Sequence, residues 1–362
     1  MAGIWRWLEQ GSRRSHRTRQ NRQDRDRIEL MSRQDEVRLM AKVARMYYGL
    51  GIRQQEITKR LNIHQSTISR LLKRAREANI VRISVSMPSG IFPELEEGLE
   101  EKYGLAEAIV VDCLPDEQQM VKDLGNAAAF YLESTMKEGE IVGISSWSRN
   151  LLAMVDSLHP TQRGNGGKVV QILGGMGSPE AQTHATSLTQ RLAYLIGAEP
   201  ILLPAPGVVG SQEAKNVLEK DSYVQQVESL FPKIDTALVG IGSLQPSKLL
   251  VSSGNRFSEK EIAQLHAKGA VGDICLRFFD AEGKPVSTPL HGRVIGIELE
   301  TLKSAKRVVG VAGGPRKEEA IRAALRGGWI NVLITDKASA ENLLKEASSS
   351  KSRSGAKKVS RK

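Results

Sequence analysis

The chain predicts an all-α helix-turn-helix head followed by a larger α/β domain of Rossmann-like build with a mostly parallel sheet. Three observations lead there. Residues 53–77 contain two short helical patterns about a turn apart, short apolar runs alternate with amphipathic helices from residue 107 onward, and charge is divided unevenly along the chain. At 362 residues, with 40 % apolar and 26 % charged side chains, there is room for one small and one large globular domain.

Charge separates the parts. The chain carries +11 overall, and residues 36–87 hold eleven Lys or Arg against three acids, a local +8. Residues 1–35 add +4 and residues 345–362 add +6, which leaves −7 on residues 88–344. A basic head suits the phosphate contacts that supply most non-specific affinity for DNA. An acidic body is unsuited to wrapping nucleic acid and reads as a folded sensor or enzyme.

The first element is absent by composition. Residues 9–34 are mostly Arg, Gln, Asp and Ser, and residues 348–362 are Ser, Lys, Arg and Gly. Such segments bury too little apolar surface to offset chain entropy, so residues 1–34 and 347–362 are expected to be disordered basic tails. Met1-Ala2-Gly3-Ile4-Trp5-Arg6-Trp7-Leu8 is too short for a signal-peptide core. No apolar run reaches the roughly 20 residues of a membrane span, and Cys113 and Cys275 read as reduced thiols of a cytoplasmic protein.

Residues 35–87 form the expected DNA-binding domain. Val37, Met40, Ala41, Ala44 and Tyr47/Tyr48 recur at helical spacing until Gly49-Leu50-Gly51 stops the helix. Ile57 and Leu61 at i, i+4 mark a second helix, and Asn62-Ile63-His64 breaks it. A third begins with Gln65, Ser66 and Thr67, buries Ile68, Leu71 and Leu72, and ends in Lys73, Arg74 and Arg76. Polar side chains in its first turn are placed for base edges in a major groove and basic ones further along for phosphates. Candidate DNA contacts are therefore Arg53, Gln54, Gln65, Ser66, Thr67, Ser69, Arg70, Lys73, Arg74 and Arg76. The plain alternative is a helical hairpin with a solvated basic face.

Ile80–Met87 alternates like a strand, as a wing or the start of a linker. Leu95, Leu99 and Tyr103 then suggest an amphipathic linker helix within residues 88–106. The body, residues 107–346, offers apolar runs at 108–112, 141–145, 168–175, 200–204, 236–242, 274–279, 307–312 and 332–336. Helical patterns at 124–136, 187–196, 259–267, 317–325 and 339–344 lie between them, a rhythm that implies a parallel sheet covered by helices. Ligands of such sheets bind beyond the carboxyl ends of the strands.

Four strand exits carry small-residue loops: Gly143 to Asn150, Leu173-Gly174-Gly175, Gly240-Ile241-Gly242-Ser243, and Gly310 to Lys317. Hydroxyls, an amide, two guanidinium groups and an ammonium accompany them, which suits a phosphate with sugar hydroxyls better than an apolar ligand. One glycine loop alone would require nothing beyond a tight turn.

These residues resemble the SorC family of bacterial sugar-responsive transcriptional regulators. The resemblance rests on the head motif, the exit near Trp147, Gly269-Ala270-Val271-Gly272-Asp273-Ile274, and Gly313-Gly314-Pro315-Arg316-Lys317 through Leu333-Ile334-Thr335-Asp336, and spans residues 35–346. It implies an effector domain with the fold of glucosamine-6-phosphate deaminase and related isomerases, phosphorylated sugars or polyols as ligands, and a homodimer or homotetramer. Lys317 falls at the family's phosphate-contacting lysine, Gly313 and Gly314 precede it, and Asp273 falls at an acidic position that accepts sugar hydroxyls. Against the family's Gly-x-Ser-Trp-Gly-Arg-Thr, the chain gives Ser146, Trp147, Ser148, Arg149 and Asn150, with Ser148 for Gly, Asn150 for Thr and one extra residue before the Trp. His184 falls where related proteins place a polar effector contact.

The expected effector site is thus Ser146, Ser148, Arg149, Asn150, Gly174, Gly175, His184, Gly240, Gly242, Asp273, Gly313, Gly314 and Lys317, with no cofactor, metal or membrane partner. The alternative is a sugar-phosphate isomerase or deaminase with a DNA-binding head. It lacks an evident second acid beside Asp273 or His184. An architectural DNA-binding protein without ligand fits the acidic, glycine-looped body poorly.

Overall fold

The computed structural model describes residues 33–345 apart from 79, 82–89, 115, 162, 176–178 and 245–257, and omits the side chains of residues 33–34 and 179–184. The tails and most of the expected strand at 80–87 therefore lie outside the described residues. The chain divides into two compact units at residues 87/88.

Three helices make the small unit: α1 (Arg33–Ala44), running into a π turn at Arg45–Gly49, α2 (Gln54–Leu61) and α3 (Gln65–Glu77). Their shared core is Met40, Val43, Ala44, Ile57, Ile68, Leu71, Leu72 and Ala75. The first helix turns differently from its apolar spacing: Val37, Ala41, Tyr47 and Tyr48 are exposed, because Met40, Val43 and Ala44 form the inward stripe. Asn62 closes α2 in the left-handed conformation (φ 49°), which Asn tolerates better than most side chains.

The large unit is built on a seven-stranded parallel sheet in the order β1-β10-β9-β5-β2-β3-β4. Its strands are β1 (Glu107–Val111), β2 (Ile141–Ile144), β3 (Lys168–Gln171), β4 (Glu199–Ile201), β5 (Thr236–Gly240), β9 (Arg307–Val311) and β10 (Val332–Asp336). Alternate residues face opposite layers. Val142, Ile144, Leu238, Val309 and Ile334 meet helices Glu117–Thr135, Arg149–Ser157 and Pro179–Ile196. Val170, Ala237, Val239, Val308 and Leu333 join Leu99, Ile321 and Leu343 of helices Pro93–Tyr103, Glu318–Arg326 and Lys337–Leu344. Burial on both faces explains why the runs read as continuously apolar.

Three expectations change. The run at 274–279 is no parallel strand: β6 (Gly242–Ser243), β7 (Ala270–Ile274) and β8 (Arg277–Asp280) form a separate antiparallel sheet, and Cys275 (φ 52°) and Leu276 (φ 60°) make the β7–β8 turn. The run at 168–175 ends as a strand at Gln171, after which Leu173 makes one antiparallel bridge to Gly296. Helix Pro93–Tyr103, read as a linker, lies on the large unit's sheet, with Glu100 and Glu96 accepting from the backbone N–H groups of Ala108 and Val110 at 2.9 Å each.

Sheet order locates a crevice. After β2 the chain leaves for β3 on one side, and after β5 it leaves toward β9 on the other, so loops from adjacent strands diverge.

Candidate functional site

Residues 145–148 leave β2 and residues 241–243 leave β5 at this divergence, and Gly313–Lys317 leave β9 beside them. A Cβ on Gly240 would lie 2.7 Å from the Ser148 hydroxyl, so the two exits touch only because residue 240 has no side chain. Ser148 Oγ accepts from Leu151 N (3.3 Å) and caps helix Arg149–Ser157.

Asp273 and Lys317 are brought together by packing. Helix Glu318–Arg326 lies on β7, so closely that a Cβ on Gly272 would be 2.6 Å from Ala320 Cβ, and Lys317 is that helix's N-cap residue. Asp273 is on β7 opposite Gly242, where a Cβ would meet its Oδ1 at 2.0 Å. Burial raises the Asp273 pKa from 3.8 to about 6, against the opposing effects of the Leu276 N–H (3.0 Å) and the Lys317 ammonium. Burial likewise lowers Lys317, Asp273 raises it, and Arg149 lowers it further. A half-buried cation and anion share the crevice.

The other predicted residues divide by how their polar atoms are used. Ser146 is buried and donates its hydroxyl to Leu173 O (3.0 Å), while Asn150 is buried and donates Nδ2 to Val311 O (2.9 Å). Both thus brace neighbouring strand exits with these donors. Gly174 and Gly175 admit Pro206 O and the Gln171 side chain, at 2.4 and 2.3 Å from a would-be Cβ. Gly314 adopts φ 89°, and its N–H donates to Asp336 Oδ2 (2.7 Å) and Ser339 Oγ (3.1 Å), so that donor is already engaged. Gly313 passes Asp336 Oδ2 at 2.4 Å from a would-be Cβ. Arg149 pairs with Glu117 at 2.8 Å. His184 falls in helix Pro179–Ile196 among residues whose side chains lie outside the described set.

Four contributors were missed from sequence. Asp336 and Ser339 form a buried cap at the end of β10 (Ser339 Oγ to Asp336 Oδ2, 2.6 Å), and Asp-x-x-Ser at a strand exit was the available signal. Gln171, a polar residue inside an apolar run, donates to Leu173 O (2.9 Å). Glu117 gave no local signal.

In the head, Gln65, Ser66, Ser69, Arg70, Lys73 and Arg76 are exposed and fall within an arc of about 140° at 100° per residue. Thr67 is 2 % exposed and belongs to the core side, a correction to its placement among base readers. Arg74, at the edge of the arc, pairs with Glu36 of α1. Arg53 is exposed just before α2, and Gln54 is half-buried. His64 Nδ1 caps α3 by accepting from Ser66 N (3.3 Å).

Among the described residues there is no group of three or more potential metal ligands and no helix long and apolar enough to cross a membrane. Burial pushes both the Cys113 and the Cys275 thiols up to about 12, which keeps them protonated at neutral pH.

A helix-turn-helix unit joined to an α/β unit with a polar switch-point crevice defines a ligand-responsive transcriptional regulator. Residues 92–345 match the family described as "Putative sugar-binding domain". The deoxyribonucleoside regulator of Bacillus subtilis (strain 168) is 38% identical over 309 residues, 85% of this chain and 97% of that protein. The sorbitol operon regulator of Klebsiella pneumoniae is 34% identical over 319 residues, 87% of this chain and 100% of that protein. The crystal structure of full-length SorC from Klebsiella pneumoniae matches with a TM-score of 0.66 at 33% identity, over 86% of this chain and 100% of that one. The chain belongs to the SorC family of sugar-binding transcriptional regulators, and is a regulator, not an isomerase or deaminase.

Proposed function

We propose that this regulator binds operator DNA through α3 and releases or retains it in response to a sugar, polyol or sugar phosphate held at the Asp273–Lys317 crevice. Gln65, Ser66 and Ser69 would read base edges, and Arg70, Lys73 and Arg76 would hold phosphates, with Arg53 and Gln54 at the start of α2. In the body, Asp273 would accept sugar hydroxyls, and Lys317 and Arg149 would hold a phosphate beside the Gly313-Gly314 and Gly240–Gly242 loops. The observation that carries this reading is the pair itself, a half-buried ammonium and carboxylate that act on each other at a sheet's switch point. Relatives named for deoxyribonucleosides and a sorbitol operon support a sugar-type effector.

Effector and operator are coupled only by the ligand's differential affinity for two states. One small head covers few base pairs, so a homodimer or homotetramer on an inverted repeat, in the cytoplasm, is the assembly we infer. The test is a thermal-shift screen of sugars, polyols and their phosphates on the full chain and on Lys317→Ala. A hit lost in the variant and able to change operator affinity supports the reading, whereas hits unaffected by the variant place the effector elsewhere.

A further inference from the structure

Arg149 occupies the first position of helix Arg149–Ser157, where the helix macrodipole opposes a cation, so helix stability does not explain it there. The helix is already capped by Ser148. The Arg149 guanidinium instead meets Glu117, the first residue of helix Glu117–Thr135, with Nη1 to Oε1 at 2.8 Å. The two helices are held closely side by side: a Cβ on Gly125 would lie 2.6 Å from Ala153 Cβ. That approach fixes the two helices against each other, with Glu117 and Arg149 at their starts.

We propose that Glu117 is a specificity-determining residue of the effector site, its carboxylate holding Arg149 as an internal stand-in for the ligand's phosphate. An anionic effector has to displace it; a neutral sugar does not. This rests on the effector reading above. Side-chain exposures of 41% for Arg149 and 66% for Glu117 leave both open to exchange. Pairs so exposed are worth no more than about fivefold in an equilibrium, whereas a guanidinium–phosphate contact is charge-assisted and bidentate. Arg149 and Glu117 also act on Lys317 with opposite signs, Arg149 lowering its pKa and Glu117 raising it. Glu117 thus compensates the same two cations that a phosphate would.

The experiment is calorimetric titration of inorganic phosphate, and separately of sorbitol, into full-length wild type, Glu117→Gln, Arg149→Gln, the double variant, Lys317→Met and Glu282→Gln. Glu282 pairs with Arg326 at 3.0 Å, so its variant removes an equal charge from an unrelated surface pair. The expected result is phosphate bound about three- to fivefold more tightly by Glu117→Gln, with no gain in the double variant or in Glu282→Gln and no change for sorbitol. Equal phosphate affinity in wild type and Glu117→Gln, with loss in Lys317→Met, overturns the role of Glu117 and leaves the site intact. A gain shared by Glu282→Gln overturns it as a general charge effect. Phosphate binding by none of the proteins removes both the role and the phosphate site.

Discussion

Asp273 and Arg277 are four residues apart on one hairpin, and their surroundings part them. Arg277 is 1% exposed and donates to the carbonyls of Gly296 (3.0 Å), His291 (3.1 Å), Ile297 (3.2 Å) and Val294 (3.4 Å), with Glu298 at 2.7 Å. Asp273 takes the Leu276 N–H at 3.0 Å and the field of Lys317, and burial still raises its pKa to about 6. A buried charge whose bonding capacity the protein itself fills is a brace for the loop it ties down. One held with capacity in reserve is suited to a ligand that completes it. The head repeats the contrast on a smaller scale: Thr67 faces the core while Ser66 and Ser69 face outward from the same helix.

The sharpest way to break this contrast is to neutralise both charges. Arg277→Met leaves Glu298 and several buried carbonyls without their donor and should destabilise the body by about 3–5 kcal/mol. Asp273→Asn should cost less than about 1 kcal/mol, since it removes a desolvation penalty. Urea unfolding of the two variants checks this, and equal losses would erase the distinction.

Protonation offers the next largest effect. Between the unfolded carboxyl near 3.8 and the folded one at about 6, the folded chain binds the extra proton. This group's contribution therefore favours the fold below that window and declines as pH rises through it, by at most about 3 kcal/mol. Denaturation from pH 4 to 7 should show a shallower fall for Asp273→Asn than for wild type. Parallel profiles would mean that Asp273 is solvated.

Lys317→Ala concerns the ligand rather than the fold. It should keep stability and operator affinity while losing about 1.5–3 kcal/mol per charge-assisted bond to a phosphorylated effector. Calorimetry with an effector found by screening decides it, and unchanged affinity would leave Arg149 as the phosphate's cation.

In the head, Gln65→Ala should lose about 1–3 kcal/mol on one operator sequence only. Lys73→Ala should weaken all sequences alike and reduce the salt slope by about 1. Anisotropy titrations on operator and scrambled DNA distinguish them, and matching losses on both would unmake the division of roles. The smallest effect is expected of Arg74→Ala, about 0.2–1 kcal/mol of head stability, since its pair with Glu36 is half exposed. A thermal melt measures it, and a larger loss would make Arg74 a brace comparable to Arg277.

By itself the sequence determined what depends on neighbours along the chain. The i, i+4 pattern of Ile57 and Leu61, the break at Asn62-Ile63-His64 and the apolar stripe Ile68, Leu71, Leu72 specify helices and a turn through contacts within about one helical turn. The rhythm of apolar runs and helical patterns from residue 107 specified strands alternating with helices in the same local way, and glycines at strand exits marked where chain segments pass closely. Only tertiary structure decided which side chains those exits present. Asn150 and Val311 are 161 residues apart, Ser146 and Leu173 are 27 apart, and Arg149 and Glu117 are 32 apart. Their hydrogen bonds exist because strand order brings separate exits to one edge, which no local period encodes. The run at 274–279 shows the same limit: its apolar composition fits a parallel strand, but the pairing of β7 with β8 folds it into a turn that presents Asp273 to Lys317. Local spacing selects the element, whereas long-range pairing selects its neighbours, and a binding site is made of neighbours.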